Sequence, residues 1–205
     1  MPKKKAAKPV NIADMRGVAS FDTNEIIVLV QAPVEPVAAA FKEIRNLKNW
    51  SRNINGQQVT VADPSYIVYQ LQGHLWTIVD CYHGRVRMVP DHAKALSKTL
   101  KTKAIFYGNS DTAGVTAYEL FDNGKLLEHF ELNDDGVNFT SEIRHIDPPQ
   151  DGPDVFTFVN EFLKSHNALA PSWSVYLGGW NHQPGQRVQL EIGDKKSVGR
   201  VDVLY

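Results

Sequence analysis

The clearest structural signal in this sequence is VTAYELFDNGKLLEHFE, residues 115–131. Both halves of the stretch mix apolar or aromatic side chains with polar ones, as expected for strands with one buried face. Between the halves lies Asp122-Asn123-Gly124, and Asn-Gly is the pair that favours positive φ at both central positions of a tight hairpin turn. The stretch therefore predicts a β-hairpin with strands at 115–121 and 125–131.

Further strand-like runs lie on both sides of this hairpin. They cover residues 26–30, 58–62, 66–71, 75–82, 103–107, 137–144, 187–192 and 199–204. Turn residues at Asp63-Pro64-Ser65 and Gly73 predict that the runs at 58–62, 66–71 and 75–82 form an antiparallel meander.

Three segments carry apolar side chains at the three- and four-residue steps of an amphipathic helix. The first spans about 34–44, the second starts at Pro90 with Asp91 as the predicted N-cap, and the third runs from Val155 to about His166. Because these helices are inserted between groups of strands, the pattern predicts an α+β fold, mainly antiparallel sheet with about three helices packed against it.

Breaks in the pattern suggest three regions. We expect a flexible basic N-terminal tail at 1–16 and an α+β core domain at 17–147. The turn-forming stretch DPPQDGP at 147–153 then introduces residues 148–205, a C-terminal helix plus short strands. This last region either packs on the core or forms a small second lobe.

Charge and composition exclude some classes of protein. The 205 residues are 42% hydrophobic and 22% charged, which is ordinary for a globular chain and excludes wholesale disorder. The formal net charge of −1 excludes the broad basic field of a dedicated nucleic-acid binder. The lysines of the tail could make only weak, salt-sensitive contacts with nucleic acid: Lys3, Lys4, Lys5 and Lys8.

The cellular location is predicted from the cysteine count and from hydropathy. A single cysteine, Cys81, allows no intrachain disulfide and fits a reducing compartment. The longest strongly apolar run, Ile26–Val30, is far shorter than the roughly 20 residues that span a bilayer, and no secretory leader is recognisable. We therefore expect a cytoplasmic protein without membrane contact.

The densest group of chemically active side chains is His74, Trp76, Asp80, Cys81 and His83. On a strand, Cys81 and His83 share one face, and an imidazole beside a thiol is the arrangement that makes a nucleophilic thiolate. No nucleophile motif surrounds Cys81, so the pair is a weak catalytic candidate and a buried, inert thiol is favoured. The histidines lack ligand spacing, and we predict neither a metal site nor a cofactor.

Four glutamates lie on the predicted strands around the hairpin: Glu119, Glu128, Glu131 and Glu142. Paired carboxylates could serve glycoside hydrolysis if they faced one cleft. Alternation assigns them no common buried face, so we expect solvated charges on the sheet.

The most unusual composition is the aromatic and glycine-rich stretch near residues 173–182. Trp173, Tyr176, Trp180 and His182 could form a binding patch, since Trp and Tyr are favoured anchors at interfaces. The alternative is that these aromatics seal the end of the fold while the glycines allow a sharp turn.

Residues 114–131, GVTAYELFDNGKLLEHFE, resemble a strand–turn–strand found in bacterial toxin-immunity-like and other uncharacterised α+β domains. The resemblance covers under a tenth of the chain and transfers no functional residues. It implies an interaction module of bacterial type.

The leading functional hypothesis is a non-enzymatic, cytoplasmic interaction or regulatory module that binds another protein, with Trp173, Tyr176, Trp180 and His182 as the candidate contact residues. One alternative is a small hydrolase-like enzyme that uses Cys81 and His83 or a sheet carboxylate. The other is weak nucleic-acid binding through the Lys-rich tail.

Overall fold

A computed structural model describes residues 11–21, 24–54, 58–60, 62–83, 87–150, 152–171, 184–189 and 198–205, with the backbone alone at 58–60, 82–83, 152 and 187–189. The helices of this part are α1 (Val34–Ile44), α2 (Pro90–Leu100) and α3 (Gly152–Ser165), with a single-turn 3-10 helix at Ile12–Asp14. The strands are β1 (Gly17–Val18), β2 (Asn24–Val30), β3 (Trp50–Ser51), β4 (Gln58–Thr60), β5 (Ser65–Leu71), β6 (Thr77–His83), β7 (Lys103–Ser110), β8 (Val115–Asp122), β9 (Lys125–Asn133), β10 (Gly136–Ser141), β11 (Leu169–Ala170), β12 (Arg187–Gln189) and β13 (Val198–Leu204).

Nine of the described strands form one sheet in the order β10-β9-β8-β7-β2-β6-β5-β13-β3. Every neighbouring pair in it is antiparallel. The predicted α+β class, with a mainly antiparallel sheet and three helices, is confirmed.

The hairpin of β8 and β9 forms where the sequence predicted it. Asn123 and Gly124 have φ angles of 51° and 81°, the pair of positive values that defines a type I′ turn. The register between the strands shifts at Leu120 and Phe121, so that Leu127 is an extra residue in β9. A bulge of this kind changes the direction of the side chain that follows it, here Glu128.

The centre of the sheet is a β-α-β-β-α-β unit made of β2-α1-β5 and β6-α2-β7. Its strands lie in the order β7-β2-β6-β5, so each half places one strand between those of the other half. The strand-like runs predicted at 26–30, 75–82 and 103–107 correspond to β2, β6 and β7 of this unit, whereas its remaining strand is β5 and not the run at 58–62.

The sheet is covered on both faces. One face, the helix-pair face, buries Val28, Val30 and Val79 against α1 and α2. The opposite face, the α3 face, buries Ile27 and Leu29 in a cluster with side chains of α3 and of the segments around it. Continuous apolar runs such as Ile26–Val30 are typical of strands that are buried on both sides.

The first helix follows directly from its sequence. Val34, Val37, Ala38 and Phe41 are buried at helical spacing, and Pro33 stands in extended conformation at its start. Pro has no N–H to leave unpaired at this end of a helix.

The predicted N-cap of the second helix was wrong. The N-cap lies two residues earlier, at Val89, and Pro90 is the first helical residue. The backbone N–H of Val89 donates to Nδ1 of His92 at 3.2 Å, and this side chain, rather than Asp91, closes the helix start. A histidine in this role is not among the usual N-terminal signals.

The predicted three-strand meander was wrong for one of its strands, the run at 58–62. β5 and β6 pair as expected, but β4 pairs with β12 in a separate two-stranded sheet. The place beside β5 is taken by β13 from the end of the chain. Single-sequence patterns carry no information on which distant strand competes for an edge, which is why this exchange was missed.

Asp202 of β13 explains how the C-terminal strand is held. Its fully buried carboxylate accepts hydrogen bonds from Trp50 Nε1 at 2.8 Å, from the backbone N–H of Asn53 at 2.9 Å and from two nitrogens of Arg200. Burial would raise the pKa of Asp202, but the bonds from Arg200, Asn53 and Trp50 outweigh burial and lower this pKa. Trp50 therefore links the segment after α1 to the last strand.

We expect Gly124→Ala to destabilise the fold more than Gly114→Ala. Both glycines have positive φ, but a Cβ at Gly124 would lie 2.7 Å from Cβ of Lys98, whereas the space around Gly114 is open. Backbone strain alone costs about 1–2 kcal/mol, and the overlap adds about 1–3 kcal/mol at position 124 only. Urea unfolding of the two variants measures the difference. Equal losses would contradict the packing of this turn against α2.

Candidate functional site

The outermost strand of the described sheet, β10, presents an unprotected edge. No described strand pairs with its outer side. Its sequence, GVNFTS, contains no charged residue and no proline, the usual devices that keep an exposed edge from pairing with another chain. At the opposite end of the sheet, β3 has only two residues. Of these two ends, β10 is the one long enough to accept a strand.

A buried ion pair fixes the sheet directly beneath this edge. Glu128 of β9 is 1% exposed, and Arg144, which follows β10, donates to both of its carboxylate oxygens. Ser141 Oγ donates to Oε2 at 2.7 Å and the Tyr118 hydroxyl donates to Oε1 at 2.7 Å. The carboxylate therefore has four hydrogen bonds and one full counter-charge, which a buried charge requires.

The electrostatics of this group follow from its partners. Burial by itself would raise the pKa of Glu128, but hydrogen bonds from Arg144, Ser141 and Tyr118 and the charge of Arg144 lower it below its usual value. Burial and the neighbouring Glu128 raise the pKa of the Tyr118 hydroxyl. Glu128 stays ionised and fully engaged, so the arrangement is suited to fixing structure and not to proton transfer.

Aromatic rings from α3 and β10 surround the same guanidinium. The Cζ atom of Arg144 lies 4.9 Å from the ring centroid of Phe158, 5.6 Å from Phe162 and 5.9 Å from Phe139. Phe162 in turn stacks on Tyr118 with centroids 3.7 Å apart. These cation–π contacts connect the edge strand to the helix that covers the α3 face.

A shallow hollow of about 400 Å³ opens beside β10 over this network. It is lined by Phe139, Ser141, Arg144, His145, Ile146 and Asp147. Ile143 and Ile146 are each 46% exposed, which is unusual for two large apolar side chains three residues apart. We call β10 together with this hollow the edge site. Its geometry offers main-chain hydrogen-bonding groups beside an apolar surface on a rigid floor.

Most of the predicted binding and tail residues lie outside the described residues. This applies to Trp173, Tyr176, Trp180 and His182 and to Lys3, Lys4, Lys5 and Lys8. Their proposed contacts therefore stay predictions.

The predicted cluster around Cys81 divides between the two faces of the sheet. Cys81 is partly buried against the helix-pair face, and the side chain of His83 lies outside the described part, so the catalytic pairing of these two stays a prediction. Trp76 is buried on the α3 face, and alternation places Asp80 on that face too. His74 is buried in a turn, where Nε2 lies 2.8 Å from the carbonyl oxygen of Ile12.

The expectation that all four sheet glutamates are solvated was wrong for Glu128. The other three are at least partly exposed: Glu119 lies 3.4 Å from His129, and Glu142 pairs with Lys125 at 2.5 Å. Glu128 shares the α3 face with Phe130, because side chains two residues apart on a strand point to the same face of the sheet. Its counter-ion, 16 residues away in sequence, could not be recognised from strand alternation.

Among the described side chains, no three His, Cys, Asp or Glu residues are grouped so that they could hold a metal ion. No helix in the described ranges is long and apolar enough to cross a bilayer.

No family model, curated protein or solved structure matches this chain.

We expect Arg144→Met to cost about 3–5 kcal/mol of unfolding free energy at pH 7, because it leaves the Glu128 carboxylate buried without a cation. The matched control is Lys125→Met, which removes the exposed partner of Glu142 on the same hairpin and should cost less than about 1 kcal/mol. Chemical denaturation measures both. Similar losses of unfolding free energy for the two variants would show that the buried ion pair stabilises the fold no more than the exposed one.

The loss in Arg144→Met should shrink as the pH falls. The folded pKa of Glu128 lies below its ordinary value of 4.5, so its stabilising contribution is present above that value and is lost as the pH falls through the folded pKa. A protonated Glu128 needs no counter-charge, so acidification removes the advantage of the native arginine. Unfolding free energies of both proteins from pH 7 to well below pH 4.5 test this sign, because the native Glu128 titrates only below that value.

Proposed function

We propose that this protein is a non-enzymatic binding module that holds an extended segment of another protein against β10, in the cytoplasm. The observation that supports it is the uncharged, open edge of β10 beside the exposed apolar side chains Ile143 and Ile146. An extended segment that adds a strand to such an edge gains main-chain hydrogen bonds, and pockets for alternate side chains give specificity.

The two faces of β10 define the side-chain pattern that the partner needs. Val137 and Phe139 are partly buried towards the α3 face, whereas Asn138 and Thr140 on the other side are exposed. A partner strand continues the same two faces, because side chains alternate across a sheet. We therefore propose a segment that alternates apolar residues towards the hollow with polar residues on the opposite side.

Charges at the two ends of β10 favour basic flanks on that segment. Asp134 and Asp135 precede the strand, and Asp147 lines the far end of the hollow; all three are exposed. Arg144, which lines the hollow together with Asp147, is already bound to Glu128. Lysine or arginine residues before and after the partner's strand would meet these carboxylates and speed association.

A second copy of this chain fits the edge less well. Antiparallel self-pairing over the whole of β10 would place Gly136 opposite Ser141 and therefore Asp135 opposite Glu142, twice in each dimer. Like charges directly opposite each other destabilise a strand pair. The proposal therefore commits to a different protein as the partner.

The edge site is also held ready for binding. Ser141 Oγ accepts hydrogen bonds from the backbone N–H of Ile143 at 3.1 Å and of Arg144 at 2.9 Å while it donates to Glu128. The segment that carries Ile143 is thereby fixed to the buried ion pair. A preordered surface loses less conformational entropy when a partner binds.

The test begins with selection of binders from a displayed library of random 12-residue peptides against the full chain. We expect enriched peptides to alternate apolar and polar residues and to carry Lys or Arg at their ends. Their affinity should fall at least about tenfold for Ile146→Lys, which puts a cation in the hollow. The matched control is Leu75→Lys, because Leu75 is 67% exposed and lies in a turn outside β10.

Two alternately N-methylated versions of an enriched peptide test the main-chain pairing. They keep every side chain but block opposite sets of amides, and only one set faces the partner strand. We expect one version to lose binding and the other to retain it, with slowed amide exchange at 137–141 in the complex. Peptides that bind Ile146→Lys unchanged, or that tolerate both methylation patterns, would overturn the proposal, and so would a selection that enriches nothing.

A further inference from the structure

The hollow beside β10 offers more than an apolar surface. It opens at the Ser141 end of the strand, on the α3 side of the sheet, where Phe139 and Ile146 give it an apolar lining. The charged side chains of Arg144 and Asp147 line it as well. The hydrogen bonds that these two side chains make, and those that they leave unmade, indicate which side chain of a partner the hollow takes.

Arg144 has one guanidinium nitrogen to spare. Nε and Nη2 donate to the Glu128 carboxylate, and Nη2 also donates to the Tyr118 hydroxyl. No described group accepts a hydrogen bond from Nη1, which lies on the edge of the planar guanidinium away from Glu128. Glu128 and Tyr118 are buried, whereas the Arg144 side chain is 27% exposed. Nη1 is therefore the donor that Arg144 offers to a ligand in the hollow.

Asp147 supplies the complementary acceptor. Its carboxylate is exposed and has no hydrogen-bond or ion-pair partner in the part of the chain that the structure describes. Glu128 balances the charge of Arg144, so an anion in the hollow would meet the unbalanced charge of Asp147. A cation in the hollow would lie beside the guanidinium. The two groups together favour a neutral side chain that both accepts and donates a hydrogen bond.

Tyrosine combines these properties with a large apolar body. Its phenol oxygen can accept a hydrogen bond from Nη1 of Arg144 while its O–H donates to Asp147, and its ring can pack on Phe139 and Ile146. Phenylalanine and leucine carry no polar group, and tryptophan carries a donor without an acceptor. Glutamine has both groups but little apolar surface for the lining of the hollow.

We propose that the partner's segment is anchored by a tyrosine, whose ring occupies the hollow and whose hydroxyl joins Arg144 to Asp147. This inference rests on the proposed function, because it requires an extended segment beside β10. The tyrosine lies opposite Phe139 or Ser141, the residues at this end of β10 whose side chains are on the α3 face.

The anchor is compatible with the basic flanks proposed above. A carboxylate has about four lone-pair sites, so Asp147 can accept a hydrogen bond from a phenol and still meet a lysine or arginine of the flank. Tyrosine is also among the residues that contribute most to binding at protein interfaces, and such residues lie in pockets near the centre of the contact. The remaining apolar positions of the segment, towards Val137, need only apolar surface.

The test uses peptides selected against the full chain. Intermolecular NOEs to the methyl groups of Ile146 identify the peptide residue in the hollow, and we expect this residue to be tyrosine. Its replacement by phenylalanine should weaken binding about tenfold, since it removes hydrogen bonds to two charged groups, and leucine should weaken it further. As a control, exchange of one apolar residue for another at the peptide position that faces Val137 should change the affinity less than about threefold.

A double-mutant cycle tests the hydroxyl directly. Asp147→Ala removes the acceptor, so the loss of affinity caused by tyrosine-to-phenylalanine exchange in the peptide should shrink at least about threefold. Asp134→Ala removes an exposed carboxylate at the other end of β10 and should leave that loss unchanged. Both variants also weaken attraction to a basic flank, but this effect is the same for the two peptides and cancels in the cycle.

The outcomes separate the anchor from the proposed function. Peptides that pair with β10 but place an aliphatic residue in the hollow would refute the tyrosine anchor and leave the proposed function standing. An equal effect of tyrosine-to-phenylalanine exchange in the native chain and in Asp147→Ala would refute it too. A selection that enriches no peptide would overturn both.

Discussion

The strand β2 lies in the middle of the sheet, and its residues Ile27 to Val30 are completely buried. A strand that is apolar on both sides must be covered on both faces, which a single layer of helices cannot do. The helices α1 and α2 cover one face, and α3 with its neighbouring segments covers the other. The placement of the three helices on the two sides of β2 follows from this requirement.

Double coverage makes every charged residue inside the sheet expensive unless it is paired. Glu128 and Asp202 meet this condition through Arg144, which lies 16 residues away in sequence, and through Arg200, which lies two residues away on the same strand. The same physical rule thus explains why the two paired acids, Glu128 and Asp202, help to hold the fold together.

The strands β8, β9 and β10 extend the sheet on one side, and no described strand covers the outer edge of β10. Natural edges are usually short, charged or interrupted by proline. The Glu128–Arg144 ion pair lies beneath β10, and the exposed Ile143 and Ile146 lie beside it. An open edge with exposed apolar side chains carries a risk of unwanted association with other chains. We propose that this exposure serves the binding of a partner.

Local patterns were sufficient to predict the hairpin at Asn123-Gly124, the spans of the three helices and the α+β class, because turn chemistry and side-chain periodicity act between near neighbours. They assigned Glu128 to solvent, although it is 1% exposed. The charge state of a carboxyl depends on what covers it and on which cation reaches it, and these partners come from strands and loops far away in sequence. Only the tertiary structure decided which strand lies beside β5 and which edge of the sheet stays open. Both outcomes depend on distant segments that compete for the same backbone hydrogen bonds.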